Sequence, residues 1–277
     1  MTRRAYLLAH PAGHSLSPRM HAAAFRALGV DATYEALDVP PGDLAATVDR
    51  IAADPGFLGA NVTTPHKRAV AGLVDDLTPA AAAVGAVNTL VPLEGRLRGD
   101  NTDVAGFTRA LEEAGFGPGP GHAVVLGTGG AARAVAYALA RLAVPAVVVG
   151  RRAEAAAALV AALGPASRGV EPATADVLGG LLTGAALLVN TTTVGMSGGP
   201  APSDVPLGVD VGRLPANAFV HDLVYNPRVT PLLAAARARG LTALDGLSML
   251  VWQGAESLRQ WTGAEPPVGA MRAAVGA

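Results

Sequence analysis

The chain contains no cysteine. Disulfides, thiolate metal sites and thioester or thiohemiacetal chemistry on a cysteine nucleophile are therefore excluded. An excess of one charge sign is also missing. A formal net charge of -1 leaves no basic face for nucleic acid and no polybasic run for a membrane surface. No apolar stretch approaches the length of a membrane span. Two arginines precede an apolar run at Arg3-Arg4-Ala5-Tyr6-Leu7-Leu8, but that run stops at His10-Pro11, which suits a first β-strand better than an export signal. His10, His14 and His21 lie in one region, yet their spacing matches no usual ligand pattern and no carboxylate accompanies them, so no metal is expected. These absences lead to the expectation of a cytoplasmic protein without nucleic acid or membrane partners.

With 277 residues, the chain can bury a sizeable core and has room for two domains of ordinary size. Short apolar runs alternate with helical stretches, which predicts α/β layers. Strands are expected over 4–9, 32–39, 57–62, 86–90 and 97–99, the last two joined by a turn at Glu94-Gly95-Arg96. Ser17-Pro18 reads as an N-cap followed by a first-turn proline, and Gly29 as the stop of that helix. Helices are expected over 44–53 and 104–114, and the segment Gly115–Gly121 reads as the crossing between domains. Further strands are predicted over 123–126, 146–149, 186–190 and 218–224. The stretch 196–215, rich in glycine and proline, reads as a surface loop able to serve as a lid. Amphipathic helices over 247–261 and 268–275 complete the chain.

The most informative segment is Val124-Val125-Leu126-Gly127-Thr128-Gly129-Gly130-Ala131-Ala132, a strand feeding a G-x-G-x-x-A turn. Gly127 allows the tight bend, Gly129 lets backbone approach a pyrophosphate, and Ala132 sits where helix and strand pack closely. The phosphates would lie on the N-terminal amides of the helix beginning near Gly130. The next strand ends at Val149-Gly150-Arg151-Arg152-Ala153. A site for NAD places an acid about there to hold the ribose hydroxyls, but the first acid is Glu154. Two guanidinium groups instead suit a 2′-phosphate, against the plainer account of a solvated turn.

Polar residues cluster upstream of this turn. In Asn61-Val62-Thr63-Thr64-Pro65-His66-Lys67, Thr64-Pro65 can start a helix, which puts Lys67 in a first turn where the dipole disfavours it. In Asn101-Thr102-Asp103, Asp103 is a natural N-cap for the helix that follows. On the residues alone, a solvated lysine and a capping aspartate are the simpler accounts. Their joint appearance with a dinucleotide fingerprint favours a catalytic pair. Ser17 has its capping role, whereas Ser15 has no structural duty in sight and suits a substrate bearing a carboxylate or several hydroxyls.

Together these motifs resemble the shikimate dehydrogenase family. The resemblance is carried by Ser15-Leu16-Ser17-Pro18-Arg19-Met20-His21, Asn61 to Lys67, Gly85-Ala86-Val87-Asn88-Thr89, Asn101-Thr102-Asp103, the glycine turn, Asp222-Leu223-Val224-Tyr225-Asn226-Pro227, and Gly246-Leu247-Ser248-Met249-Leu250-Val251-Trp252-Gln253. They span the chain in the family's order. The resemblance implies a reversible, NADP-dependent oxidation of shikimate to 3-dehydroshikimate in aromatic amino acid biosynthesis, by a monomer or homodimer. It also implies a substrate domain with a mostly parallel sheet over 1–103, a Rossmann-type NADP-binding domain over 104–246, and helices over 247–277 returning to the first domain.

Carried over residue by residue, the resemblance makes Lys67 and Asp103 catalytic. Ser15, Ser17, Asn61, Thr63, Asn88 and Gln253 join them in binding substrate, with Tyr225 contacting it from the cofactor side. Gly127, Thr128, Gly129, Gly130 and Ala131 would cradle the cofactor, with Gly150, Arg151 and Arg152 at its 2′-phosphate. Asn190, Thr191 and Thr192 would lie near its bridging region, and Leu223, Gly246 and Met249 would border the nicotinamide. One departure stands out. NADP-specific members commonly carry asparagine where Gly150 stands and a further basic residue where Ala155 stands, which weakens the clamp and leaves NADP favoured over NAD. The rival readings are an NAD-dependent quinate/shikimate dehydrogenase and a silent NADP-binding sensor. The sensor would not need Lys67, Asp103, Asn88 and Gln253.

Overall fold

The computed structural model describes residues 2–13 and 15–277; His14, named above with His10 and His21, lies outside them. The chain folds into two compact units, Met1–Gly106 with Leu250–Ala277, and Phe107–Met249. The boundaries fall inside helices, three residues beyond the expected positions. The segment Gly115–Gly121 is therefore not the crossing; it lies within the second unit.

In the first unit the elements are β1 (Arg3–Ala9), α1 (Ser17–Leu28), β2 (Ala32–Asp38), α2 (Leu44–Ala52), β3 (Phe57–Val62), β4 (Asp76–Leu77), α3 (Pro79–Val84), β5 (Thr89–Leu93), β6 (Arg96–Asp100) and α4 (Asp103–Glu113). All six residues of β3 are buried, as befits a central strand covered on both faces. Helix α1 turns Met20, His21, Ala24 and Phe25 inward and stops at Gly29, whose left-handed backbone lets its N–H reach the Arg26 carbonyl. Glu94 and Gly95 both take positive φ, the two-residue turn that matches strand twist in a hairpin. The sheet order is β2-β1-β3-β5-β6-β4. Only β5 runs against its neighbours, so the sheet is mostly parallel.

The second unit contains β7 (His122–Leu126), α5 (Gly130–Arg141), β8 (Ala146–Gly150), α6 (Ala153–Leu163), β9 (Val170–Thr174), α7 (Leu178–Leu182), β10 (Ala185–Asn190), β11 (Phe219–Asp222), α8 (Pro231–Ala238) and β12 (Thr242–Leu244). Its sheet is parallel throughout, in the order β12-β11-β10-β7-β8-β9. The order reverses between β7 and β10, the place where open α/β sheets hold ligands at their carboxyl ends. Val124, Leu126, Leu188 and Val220 build the core with Leu232 and Leu233. Val209, Val211 and Leu214 are buried in that same core. Most of the far end of 196–215 is thus anchored, not free to act as a lid; its apolar side chains outweigh its glycine and proline content.

The last helices, α9 (Leu247–Thr262) and α10 (Val268–Val275), return mostly to the first unit, where α10 packs on α1. Trp261 donates its indole N–H to the Leu90 carbonyl at 3.0 Å. Its ring lies so close to β3 that a Cβ at Gly59 would come within 2.1 Å of it. Beside Trp261, His21 stacks on Tyr34 with ring centroids 4.3 Å apart and planes 4° from parallel.

Burial pushes the His21 pKa down to about 3, opposed by the neighbouring Asn61 side chain. Burial likewise pushes His221 down to about 4, opposed by Asp245. Both fold as neutral rings, while the unfolded residues titrate near 6.5. Their contribution to stability is therefore complete above about pH 6.5 and is lost as pH falls toward 3 to 4, each histidine costing about 1.4 kcal/mol for every pH unit crossed in that window. The urea midpoint is expected to drop steadily between pH 7 and pH 4. In His21→Phe, which keeps an aromatic ring in the stack, the drop is expected to be shallower; an unchanged pH profile would contradict this.

Candidate active site

Strands β3 and β6 run one way and β5 between them runs the other. The carboxyl ends of β3 and β6 therefore meet the amino end of β5 at one edge of the sheet. Register places Asn61 opposite Thr89 and Thr89 opposite Asp100. Asn61, Asn88 and Asn101-Thr102-Asp103 are thereby gathered from three distant stretches of sequence.

At this edge the Lys67 Nζ lies 2.6 Å from Asp103 Oδ2, with side-chain exposures of 16% and 6%. Such a withdrawn ion pair loses more hydration than a surface pair and demands close geometry. The other oxygen, Asp103 Oδ1, accepts from Asn88 Nδ2 at 2.9 Å. The same Asn88 amide nitrogen is 3.0 Å from Thr102 Oγ1 and 3.3 Å from Gln253 Oε1. Asn88 Oδ1 in turn accepts the Thr102 backbone N–H at 2.7 Å. Lys67, Asn88, Asp103 and Gln253 thus form one cluster. Chemically, an amine and a carboxylate held in contact, with amide groups alongside, can take up and pass on a proton.

Lys67 does not sit in the first turn of a helix. Residues 64–68 form turns with a cis Thr64–Pro65 peptide, and only a short 3-10 helix follows at Ala69–Gly72. The Lys67 carbonyl accepts the Val87 N–H at 2.7 Å, which diverts it from an intrahelical bond. The dipole argument accordingly does not apply. Nor is Asp103 a residue ahead of the helix: α4 begins at Asp103 itself.

Ser17 does not have the expected capping role. The N-cap position of α1 is Leu16, Ser17 is already helical, and no side chain caps the helix. Ser15 Oγ accepts the Ser17 N–H at 3.2 Å. The start of α1 lies one residue earlier than the serine-proline pattern indicates. Ser17 is buried, and Ser15 follows β1. Thr63 follows β3, and its N–H donates to the Leu8 carbonyl at 2.9 Å, which brings both segments to the carboxyl ends of adjacent strands. Tyr225 belongs to the second unit, half-buried in the segment after β11.

Sequence reasoning passes over the hydroxyls beneath the cluster. Ser257 Oγ lies 2.8 Å from Asn61 Nδ2, 2.9 Å from Thr89 Oγ1 and 3.2 Å from Thr102 Oγ1, all buried. Tyr34 donates its hydroxyl to Asn61 Oδ1 at 2.9 Å. The signal for Ser257 is its position four residues after Gln253, on the same face of α9.

In the second unit, Gly127 has φ +115°, and a Cβ there would meet Thr191 Oγ1 at 2.5 Å. A Cβ at Gly129 would meet nothing within 4 Å, so the surface over the turn is open. Gly129 is the N-cap of α5 and provides no side-chain cap. The first-turn amides therefore remain available to an anion. Arg151 and Arg152 are exposed at the carboxyl end of β8, with no acidic partner among the described residues. A Cβ at Gly150 would fall 2.8 Å from Thr128 Cγ2 and 3.2 Å from the Arg152 carbonyl. The methyl of Thr128 occupies the room that an asparagine at 150 would need. Asn190 Oδ1 accepts from the Thr192 N–H and hydroxyl at 2.9 and 2.7 Å, ordering the segment after β10. Among the described residues no group of three His, Asp or Glu side chains is placed to hold a metal, and no helix is long and apolar enough to cross a membrane. His10 instead contacts the Asp38 carboxylate at 2.7 Å.

The strand order and the glycine turn define the second unit as a Rossmann-type dinucleotide-binding domain, joined to an α/β unit that carries an amine–carboxylate pair. Residues 7–90 match the model of the shikimate dehydrogenase substrate binding domain, and 246–275 that of the shikimate 5'-dehydrogenase C-terminal domain. A shikimate dehydrogenase (NADP(+)) from Methylobacterium radiotolerans is 49% identical over 96% of this chain and 94% of that protein. The crystal structure of shikimate 5-dehydrogenase from Thermus thermophilus in complex with NADP(H) and shikimate is 39% identical, with a TM-score of 0.85 over 99% of this chain and 98% of that one. Quinate dehydrogenase from Corynebacterium glutamicum in complex with NAD is 34% identical, with a TM-score of 0.89 over 99% and 98%. The chain belongs to the shikimate dehydrogenase family.

Removing the Ser257 hydroxyl leaves the amide of Asn61 and the hydroxyls of Thr89 and Thr102 one partner short in a buried site. Ser257→Ala is expected to cost roughly 1–3 kcal/mol in urea denaturation, the usual effect of an unsatisfied buried polar group. A midpoint equal to that of the parent would show that the hydroxyl is dispensable.

Proposed function

We propose that this protein is an NADP-dependent shikimate dehydrogenase, catalysing the reversible oxidation of shikimate to 3-dehydroshikimate for aromatic amino acid biosynthesis in the cytoplasm. The observation that carries this reading is the 2.6 Å contact between Lys67 and Asp103 at the sheet edge beside Asn61 and Asn88. Oxidising a secondary alcohol breaks its O–H and C–H bonds while a C=O bond forms. Bound NADP supplies the nicotinamide ring that accepts the hydride. The residues of the first unit deal with the proton. The hydroxyl being oxidised hydrogen-bonds to Lys67 and Asp103, and its proton enters that pair, to be passed on to solvent. Asn88 holds Asp103 Oδ1 so that the carboxylate keeps its orientation. Ser15, Ser17, Asn61, Thr63, Tyr225 and Gln253 bind the carboxylate and remaining hydroxyls of the substrate.

The residues of the second unit fit the dinucleotide. The open surface over Gly129 and the uncapped amides of α5 suit a pyrophosphate. Gly127, Thr128, Gly130 and Ala131 shape this cradle, and Asn190, Thr191 and Thr192 line the region that bridges the two halves of the cofactor. Leu223, Gly246 and Met249 border the nicotinamide. Arg151 and Arg152 engage the 2′-phosphate by charge and fork geometry, which favours NADP over NAD even with Gly150 in place.

The test is NADPH formation, followed by absorbance, with shikimate and NADP. Turnover with this pair is expected to exceed that with quinate or with NAD; a preference for NAD and quinate would overturn the assignment. In Lys67→Ala, turnover is expected to fall by roughly two or more orders of magnitude, the usual reach of general acid–base groups, while NADP affinity stays near its parental value. Near-normal turnover would remove Lys67 from the mechanism.

Gly150→Asn alone is expected to weaken NADP binding, because its side chain collides with Thr128. The double variant Thr128→Gly, Gly150→Asn is expected to restore it or exceed the parent. Equal affinities in all three proteins would show that the two positions are not coupled.

A further inference from the structure

Asp222, the last residue of β11, is fully buried. Its Oδ1 accepts from Asn190 Nδ2 at 2.8 Å and from the Val224 backbone N–H at 3.1 Å. Its Oδ2 accepts the Thr230 hydroxyl at 2.7 Å, while the Thr230 oxygen accepts the Leu233 N–H and caps α8. Every partner donates, which is the surrounding a carboxylate needs and a carboxylic acid does not. Among the described residues no cation pairs with it. Burial pushes its pKa up, and the hydrogen bonds from Thr230, Val224 and Asn190 oppose that. A buried carboxylate without a counter-ion is costly to fold, and a neutral residue would terminate the strand as well. Its cost invites a functional account.

Two of the three donors, Asn190 and Val224, lead into the segments assigned above to the cofactor. Asn190 orders Thr192 at the end of β10, and Val224 follows Leu223, one of the residues bordering the nicotinamide in that reading. The oxidised nicotinamide ring is cationic and the reduced ring is neutral. Resting on the cofactor assignment above, we infer that Asp222 is a positioning residue with an electrostatic effect. It fixes the ends of β10 and β11, and its uncompensated negative charge at the carboxyl edge of the sheet favours oxidised over reduced NADP.

Asp222→Asn tests this, because asparagine keeps the shape and can still accept from Asn190 and Val224 while the charge is gone. Dissociation constants for NADP+ and for NADPH are measured separately, by calorimetry and by NADPH fluorescence. The variant is expected to lose affinity for NADP+ by a factor on the order of tenfold more than for NADPH, the scale of one unit charge acting through a partly screened medium. An unchanged ratio of the two constants overturns the electrostatic effect, even if both affinities fall. Thr230→Val removes the donor that most opposes protonation of Asp222, so it is measured at alkaline pH, where the charge is kept and the ratio of the two constants is expected to match the parent's. A ratio shifted toward NADPH in Thr230→Val under those conditions would also overturn the inference, and this arm stands if the asparagine variant does not fold. Failure of the parent protein to bind either form would instead sink the cofactor assignment itself.

Discussion

The contact between Lys67 and Asp103 is the constraint around which the first unit is arranged. The two residues come from segments that share no local structure, a turn after β3 and the start of α4. They follow the carboxyl ends of β3 and β6, which run the same way, and the antiparallel β5 between them brings Asn88, ahead of its amino end, to the same edge. A withdrawn ion pair is a weak way to stabilise a fold, because lost hydration offsets much of its attraction. Its location is better explained by chemistry: proton transfer needs titratable groups close together and held in one geometry.

Holding that geometry falls to residues that do no chemistry. Asn88 links Asp103, Thr102 and Gln253, and Asn61, Thr89 and Ser257 tie the strands to α9 from beneath. Buried polar networks of this kind are strong when complete and costly when one member is removed. Farther back, His21, Tyr34 and Trp261 form an aromatic wall whose polar tip, the Tyr34 hydroxyl, reaches Asn61. In the second unit the same logic recurs with a different donor set. Asn190, Asp222 and Thr230 bind the ends of β10 and β11 to the cap of α8. In both units, rigid strands end in side-chain networks that leave little freedom to the residues at the edge.

Much of this is legible in the residues alone. Strand β3, the hairpin at Glu94-Gly95, the stop at Gly29 and the turn at Gly127 announce themselves through local chemistry: burial runs and residues that tolerate positive φ. The family order of motifs points to Lys67 and Asp103 together. What escapes depends on distant partners or on a single-residue shift. The turn at Lys67 looks helical because nothing nearby reveals that Val87 takes its carbonyl. Ser17 looks like the cap of α1 because the helix starts one residue earlier than the serine-proline pattern indicates. The segment holding Val209, Val211 and Leu214 reads as a loop because its composition masks three buried side chains. Ser257 gives only its spacing from Gln253, and Asp222 stands in a family motif without a role, since a serine in a helix and an aspartate at a strand end are ordinary until their neighbours are known. The glycine at 150 gains a cause only with Thr128 beside it.

The most direct measurement is the single-turnover rate of hydride transfer from shikimate in Lys67→Ala, Asp103→Asn and the double variant, all with substrate and NADP saturating. If the amine and the carboxylate act as one proton-transfer unit, the double variant is no slower than the slower single variant by more than a few-fold. Losses that multiply, leaving the double variant slower by the product of the two single effects, would mean that the residues act independently and would contradict the account.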